Sequence, residues 1–558
     1  MRECHRFTVV LVGLLAAASV SRVSFATTRA DSVASVLRNA ARDGTLTDLR
    51  WPRFPHYRDE LDAIYSGSGW LPVWSANDRP IPAARTAVDM LLASKQRALE
   101  PDDYDAELLD RRLRELIATR SPSARDVAWF DAALTVDFAR HLSAVRVGRV
   151  VPEHLAVGIN VEPKRLDLAR EIQAALASGR VAELVRDAEP RFVQYRNLKS
   201  AYARYRELAD RAVAPIAAPK AVRAGERFDA AGALRRRLAL EGDLATSPAV
   251  ADSELYDAVL AGAVARFQGR HGLAPDSVLG PTTLAAINVP LARRARQIEL
   301  AMERIRWLPE LRSTPFIVVN VPSFQLYAFD SLGTTGTPSL TMNVVVGRDQ
   351  VGRRTPLFER DMKYIVFRPY WVITRNIIKN ETLPAIRRNA GYMKKQDLEI
   401  YSGSGDTGPA VAATSENLGR VARGELGMRQ RPGPKNALGL AKFIFPNDHN
   451  VYMHGTPAQE LFSRSRRDFS HGCIRLEDPA KLGVWVLRDP RAWPLTEVQR
   501  AMAGPKPRHV NLARPLPVLI YYTTAVARND GSVAFFDDVY RHDAKLEQEL
   551  AKGYPFAP

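Results

Sequence analysis

Cysteine is almost missing from this chain of 558 residues; there are two, Cys4 and Cys473. So few thiols exclude a disulfide-stapled architecture and a structural zinc site built on several thiolates. Long apolar runs are missing too. Apart from Phe7–Val20 no stretch comes near the ~20 residues that span a bilayer. Nor is there an excess of acid: 79 Lys and Arg stand against 62 Asp and Glu, a formal charge of +17. That charge is spread along mixed-sign faces with no long basic block. It therefore speaks against nucleic acid as a partner and for general attraction to an anionic polymer or surface. With 46% hydrophobic and 25% charged residues the composition is that of a globular protein, and the length allows about three domains.

At the N-terminus, Arg2 and Arg6 precede the apolar run, and Ser24-Phe25-Ala26 follows with small residues at a cleavage spacing. Residues 1–26 therefore read as a secretory signal peptide, which places the protein in the periplasm; left uncut, the segment would be an inner-membrane anchor. No stable membrane span is expected after cleavage. Cys4 lies before the apolar run, the wrong place for lipid attachment. The mature chain then keeps one thiol, Cys473, with no intramolecular partner, which points to chemistry rather than structure.

The expected fold class is α+β and multi-domain. Residues 27–210 read as a helical scaffold domain, with Leu134, Phe138 and Leu142 at helical spacing and isolated His56, His141 and His154 as ordinary histidines. An Ala/Pro-rich linker covers 211–224. A small helical module follows at 225–290, where Leu260, Val264 and Phe267 share a face and Gly272 stops the helix. Residues 291–312 form a connecting helix with Ile298, Met302 and Ile305 on one face. Past Pro309 the period changes to two: Leu340, Met342, Val344 and Val346 alternate. This mostly-β domain spans 313–505, interrupted at 374–430 by a polar, Gly-rich capping insertion, a lid or a disordered stretch. Residues 506–558 complete it, with Val518–Thr523 and Val533–Phe536 expected as a closing hairpin.

The chemistry concentrates in Ser470-His471-Gly472-Cys473-Ile474-Arg475, with His454-Gly455 upstream. A histidine can take the thiol proton or stabilise the thiolate near neutral pH. Gly472 permits tight backbone geometry, and N–H groups of such a turn can bind the oxygen of a tetrahedral intermediate. Zinc held by His454, His471 and Cys473 would want a fourth strong ligand. A papain-like hydrolase would place its cysteine before its histidine. Acyl transfer without metal or cofactor fits best, and on chemistry alone either histidine can be the base.

Two resemblances sharpen this. Val264-Ala265-Arg266-Phe267-Gln268-Gly269-Arg270-His271-Gly272-Leu273, followed by Gly280-Pro281-Thr282-Thr283-Leu284, resembles a peptidoglycan-binding module, departing from it where Asp276-Ser277 replaces the usual Asp-Gly turn. His454-Gly455, fourteen residues, then Ser470 to Arg475 is similar to the signature of the L,D-transpeptidase (YkuD-type) catalytic domain, and the chain as a whole resembles the large branch of that family. The resemblance implies Cys473 as nucleophile and His454 as its base, the ring held by a backbone carbonyl near Gly455. His471, Gly472, Gly455 and Ser470 would shape the oxyanion pocket, and Arg475, Tyr452 and Trp371 would bind substrate. It implies cross-linking of third residues of two peptidoglycan stem peptides, with D-alanine released from a tetrapeptide donor. The partners would be the cell-wall polymer and other wall-synthesis enzymes. A carboxypeptidase or endopeptidase, attachment of a lipoprotein lysine, and a non-catalytic wall-binding protein are the rivals.

Overall fold

Helix α1, Ala124–Val147, organises the N-terminal half. Ser123 caps it by accepting from the N–H of Asp126, and 18 of its 24 residues are buried, Leu134, Phe138 and Leu142 among them. A helix buried on all sides is the axis of a bundle rather than its skin. It stops at Gly148, whose φ of +89° suits glycine and where a Cβ would meet Glu303 Oε1 at 2.6 Å. The structure, a computed structural model, describes residues 31–155, 164, 166–211, 213–245, 254–309, 315–331 and 336–553. The expected leader and Cys4 lie outside the described residues, among which no helix is long and apolar enough to cross a membrane.

Helix α2, Val193–Ala209, packs on the connecting helix, and the small module centres on α3, Ala258–Arg270, whose Leu260, Val264 and Phe267 are buried as expected. Asp257 caps α3 by accepting from the Leu260 N–H at 2.8 Å. The Asp276-Ser277 departure is absorbed locally: Ser277 itself takes φ +61° and its N–H donates to Gln268 Oε1. The stretch expected as a linker is docked, not free. Ile216 and Val222 are buried in the module, and Asn288 bonds both main-chain groups of Ile216.

The connecting helix α4, Leu291–Trp307, buries Ile298, Met302 and Ile305 on one side. Its other side is ionic yet buried: Glu303 accepts from the main chain of Arg149 and Val150, and Arg306 pairs with Glu303 at 3.0 Å. Arg304 pairs with Asp543 of the C-terminal helix. Removing one partner of such a pair would strand a buried charge, so α4 locks scaffold and C-terminus together.

The C-terminal half is built on a nine-stranded sheet. Its strands are β1 Phe316–Asn320, β2 Gln325–Phe329, β3 Leu340–Gly347, β4 Phe358–Phe367, β9 Ala441–Ile444, β10 Met453–His454, β11 Asp468–Ser470, β12 Ile474–Leu476 and β13 Arg508–Tyr521. The order is β11-β3-β12-β10-β9-β4-β13-β1-β2, and β2 also pairs with β3, so the sheet closes barrel-like and leaves few edges. The alternation in β3 is only partial, since Val345 is buried as well as Val344 and Val346.

The insertion is not disordered. Strands β5 Trp371–Val372, β6 Leu398–Tyr401, β7 Ala410–Val411 and β8 Gly427–Gln430 form a second sheet in the order β5-β8-β6-β7. Ile373, Leu383, Ile400 and Met428 give it a core of its own. The expected closing hairpin is also corrected. Val518–Tyr521 belongs to β13, running parallel to β1. The hairpin proper, β14 Ala525–Ala527 with β15 Val533–Phe535, packs on α2 and α4 with Tyr195, Tyr205 and Ile298.

Candidate active site

Strand β11 ends in the turn His471-Gly472-Cys473, and β12 leaves it. Ser470, only 2% exposed, holds the turn from inside: its Oγ donates to the Cys473 carbonyl and accepts from the Gly472 N–H at 3.1 Å. Gly472 has φ +122°, while a Cβ there would find its nearest atom at 3.6 Å. Glycine is therefore required by conformation, not by space. Behind the turn, Thr355 Oγ1 donates to the Gly472 carbonyl and accepts from the Gly347 N–H, both at 2.8 Å. Tyr540 Oη in turn donates to the Gly347 carbonyl and accepts from the Thr355 N–H.

Strand β10 lies parallel to β12, with Met453 opposite Ile474 and His454 opposite Arg475. On the far side His454 faces Lys442 of β9. Paired residues share a face and successive residues alternate, so Lys442, His454 and Arg475 line one face while buried Phe443, Met453 and Ile474 line the core. Cys473 enters that polar face one residue before β12 begins.

His454 is 4% exposed, and its Nδ1 lies 2.5 Å from the Gly455 carbonyl. A carbonyl only accepts, so Nδ1 carries the proton and Nε2 is the basic nitrogen of the neutral ring. The support behind it is tight: a Cβ on Gly439 would come within 2.6 Å of the Gly455 carbonyl carbon. Burial presses the His454 pKa down to about 3; the Gly455 and Leu438 carbonyls oppose this, and Arg475 and Lys442 reinforce it.

Cys473 is a free, half-buried cysteine whose Sγ lies 3.9 Å from the Asn450 carbonyl. Burial pushes the thiol up, against the main-chain N–H of Tyr452, Lys442, the Tyr452 hydroxyl and Arg475. Burial thus disfavours the charged form of both side chains, the thiolate of Cys473 and the imidazolium of His454.

The remaining expected residues divide. The Tyr452 ring centre lies 5.7 Å from that of His454. Arg475 is half-buried, its Nε inside the protein without a hydrogen-bond partner. His471 faces outward, with Nε2 2.7 Å from Glu381 of the insertion. The Gly472 N–H, expected in the oxyanion pocket, already bonds Ser470 Oγ. Trp371 lies in β5 and packs on the insertion's own core. Residues not foreseen are Thr355, Tyr540, Glu381, Lys442 and Asn447, whose side chain bonds four main-chain groups from Phe445 to Val451 and so shapes the loop before Tyr452. Of these only Thr355, which precedes Pro356 shortly after Gly347, carries a local mark in the sequence.

Family models match three stretches: a scaffold domain at residues 59–201, a "Putative peptidoglycan binding domain" at 229–287, and an L,D-transpeptidase catalytic domain at 314–498. A curated relative from Haemophilus influenzae, described as "Putative L,D-transpeptidase", is 27% identical over 264 residues, 46% of this chain. The chain spans about half of that relative's length, 51%. Among solved structures, an L,D-transpeptidase from Xylanimonas cellulosilytica is 19% identical with a TM-score of 0.18, over 55% of this chain and 99% of that one. One from Stackebrandtia nassauensis is 13% identical with a TM-score of 0.23, over 55% and 97%. The polar face that joins His454 to the Cys473 turn thus lies within the stretch that matches an L,D-transpeptidase catalytic domain, in a chain that also matches a scaffold domain and a putative peptidoglycan binding domain.

Proposed function

We propose that this protein is a peptidoglycan L,D-transpeptidase that works outside the cytoplasmic membrane through a Cys473 thioester. The observation that carries the reading is the parallel pairing of β10 with β12, which sets His454 one strand from the nucleophile turn. Cys473 Sγ attacks the carbonyl of the third residue of a tetrapeptide stem, and its proton passes to His454 Nε2. With the Gly472 N–H occupied by Ser470, the N–H groups of His471 and Cys473 meet the tetrahedral oxygen. The C–N bond breaks, His454 returns its proton to the leaving D-alanine, and a thioester remains. The side-chain amine on the third residue of a second stem then attacks, losing a proton to His454, and Cys473 leaves as the thiol. Arg475, with its unpartnered Nε, orients a stem carboxylate. The insertion, joined to the turn through Glu381 and His471, keeps water from the thioester.

Purified protein incubated with tetrapeptide muropeptides and read by mass spectrometry tests this. Cross-linked dimers and released D-alanine are expected, with both lost in Cys473→Ala. Trimmed monomers alone would make the protein a hydrolase, and product formed by Cys473→Ala would refute the site.

A further inference from the structure

One charged side chain on the polar face is unused by this mechanism. Lys442 lies in the middle of β9, directly opposite His454, and its Nζ sits 4.2 Å from the centre of the Tyr452 ring. Strand β9 alternates, with Ala441 and Phe443 in the core and Lys442 half-buried on the side of the nucleophile. Tyr452 is the residue that touches Cys473 on that side: its carbonyl accepts from the Ile474 N–H at 3.1 Å, and its N–H and hydroxyl both face the sulfur. An aromatic face attracts an ammonium, the more so where water is excluded.

We propose that Lys442 is an electrostatic positioning residue, whose ammonium, fixed over the Tyr452 ring, stabilises the negative charge that Cys473 Sγ acquires as it loses its proton. An unsolvated positive charge beside a thiol favours the thiolate. The charged and titratable groups around the sulfur come from four elements. Lys442 belongs to β9, Tyr452 and His454 to β10 and the loop before it, and Arg475 to β12. Asp406 belongs to the insertion and acts on both Lys442 and Tyr452. Arg348 and Glu460 lie behind Arg475. Arg348 works against the Arg475 charge and Glu460 for it, while Asp406 works for the charge of Lys442. Burial lowers its pKa, and the Asp406 carboxylate opposes that.

The inference rests on Cys473 as the nucleophile, and its test needs no transfer reaction. The full chain is treated with iodoacetamide across a pH series, and alkylation of the Cys473 peptide is followed by mass spectrometry. In Lys442→Met the midpoint of the alkylation rate is expected about one pH unit above wild type; Lys442→Arg is expected to keep the wild-type midpoint. Where Met lowers the melting temperature, Lys442→Gln is read in its place. Overlapping profiles for wild type and the neutral variant overturn the proposal, whatever happens to turnover, because Lys442 would then act on substrate. A midpoint in Lys442→Arg displaced as far as in Lys442→Met overturns it too, by making packing the cause. An inactive wild type with the shift present refutes transpeptidation alone, and an active wild type with no shift refutes the role of Lys442 alone.

Discussion

The carboxylate of Glu381, in the insertion, lies 2.7 Å from Nε2 of His471, two residues before Cys473. The same oxygen accepts from Arg353 at 3.2 Å, in the loop that carries Thr355. One side chain thus ties the insertion, which has a sheet and core of its own, to both walls of the Cys473 turn. Burial works against the Glu381 charge, but His471, Arg353 and Arg348 outweigh it and hold its pKa below the ordinary value of 4.5.

Glu381→Gln should loosen this tie. Because both side chains are partly exposed, the contribution is about 0.2–1 kcal/mol. Amide exchange in residues 375–388 is expected to rise up to about fivefold, with more hydrolysed product per cross-link. The sign for pH follows from a lowered carboxylate pKa: the tie is complete above pH 4.5 and lost as pH falls through the lower, folded value. Hydrogen–deuterium exchange at neutral pH decides it; equal exchange in wild type and variant would remove the latch.

The Tyr540 hydroxyl is expected to matter to the nucleophile although it comes 67 residues after it in the chain. It is fully buried and serves the Gly347 carbonyl and the Thr355 N–H, and Thr355 carries the Gly472 carbonyl. Tyr540→Phe keeps the ring and strands two buried main-chain groups, at about 1–3 kcal/mol. Urea unfolding should show that loss, and kcat should fall as the turn loosens while Cys473 stays present. An unchanged unfolding midpoint would mean that water replaces the hydroxyl.

Legibility in the sequence followed the range of the interactions. Leu260, Val264 and Phe267, or Leu134, Phe138 and Leu142, lie within a few turns of one helix, so spacing alone places them in a core. His454 and Cys473 could be read because their strands are neighbours in a short signature. The insertion's sheet could not: β6 has four residues and gains its ladder from β8, paired as Tyr401 with Gly427, across a helix. The hairpin ending at Phe535 is a short apolar run like a barrel strand, yet Phe535 meets Tyr205 edge to face, ring centres 5.3 Å apart, and lies under Arg294 at 4.7 Å. Pattern gives the period of a strand, not the surface that receives it. Lys442 carries no mark of its own in the sequence, because only tertiary pairing puts His454 opposite it.

His454 supplies the last test, and its sign is opposite to that of an ordinary surface histidine. An unfolded imidazole takes its proton near pH 6.5, whereas burial holds the folded ring neutral down to about 3. Between those values the unfolded state binds the extra proton, so stability present above pH 6.5 drains away as pH falls toward 3. His141 and His542 are buried with the same direction, so the measurement must be a difference. His454→Gln removes the titration while keeping a polar side chain. Melting temperatures from pH 8 to pH 4 should fall more steeply in wild type than in His454→Gln, and the two curves should converge toward acid. The same depressed value keeps Nε2 unprotonated, so His454 should add no acid limb near pH 6.5 to kcat/KM. Parallel melting curves, together with an acid limb near 6.5 that vanishes in His454→Gln, would mean that the ring is solvated in solution and that the neutral thiol–imidazole pair is not the resting state.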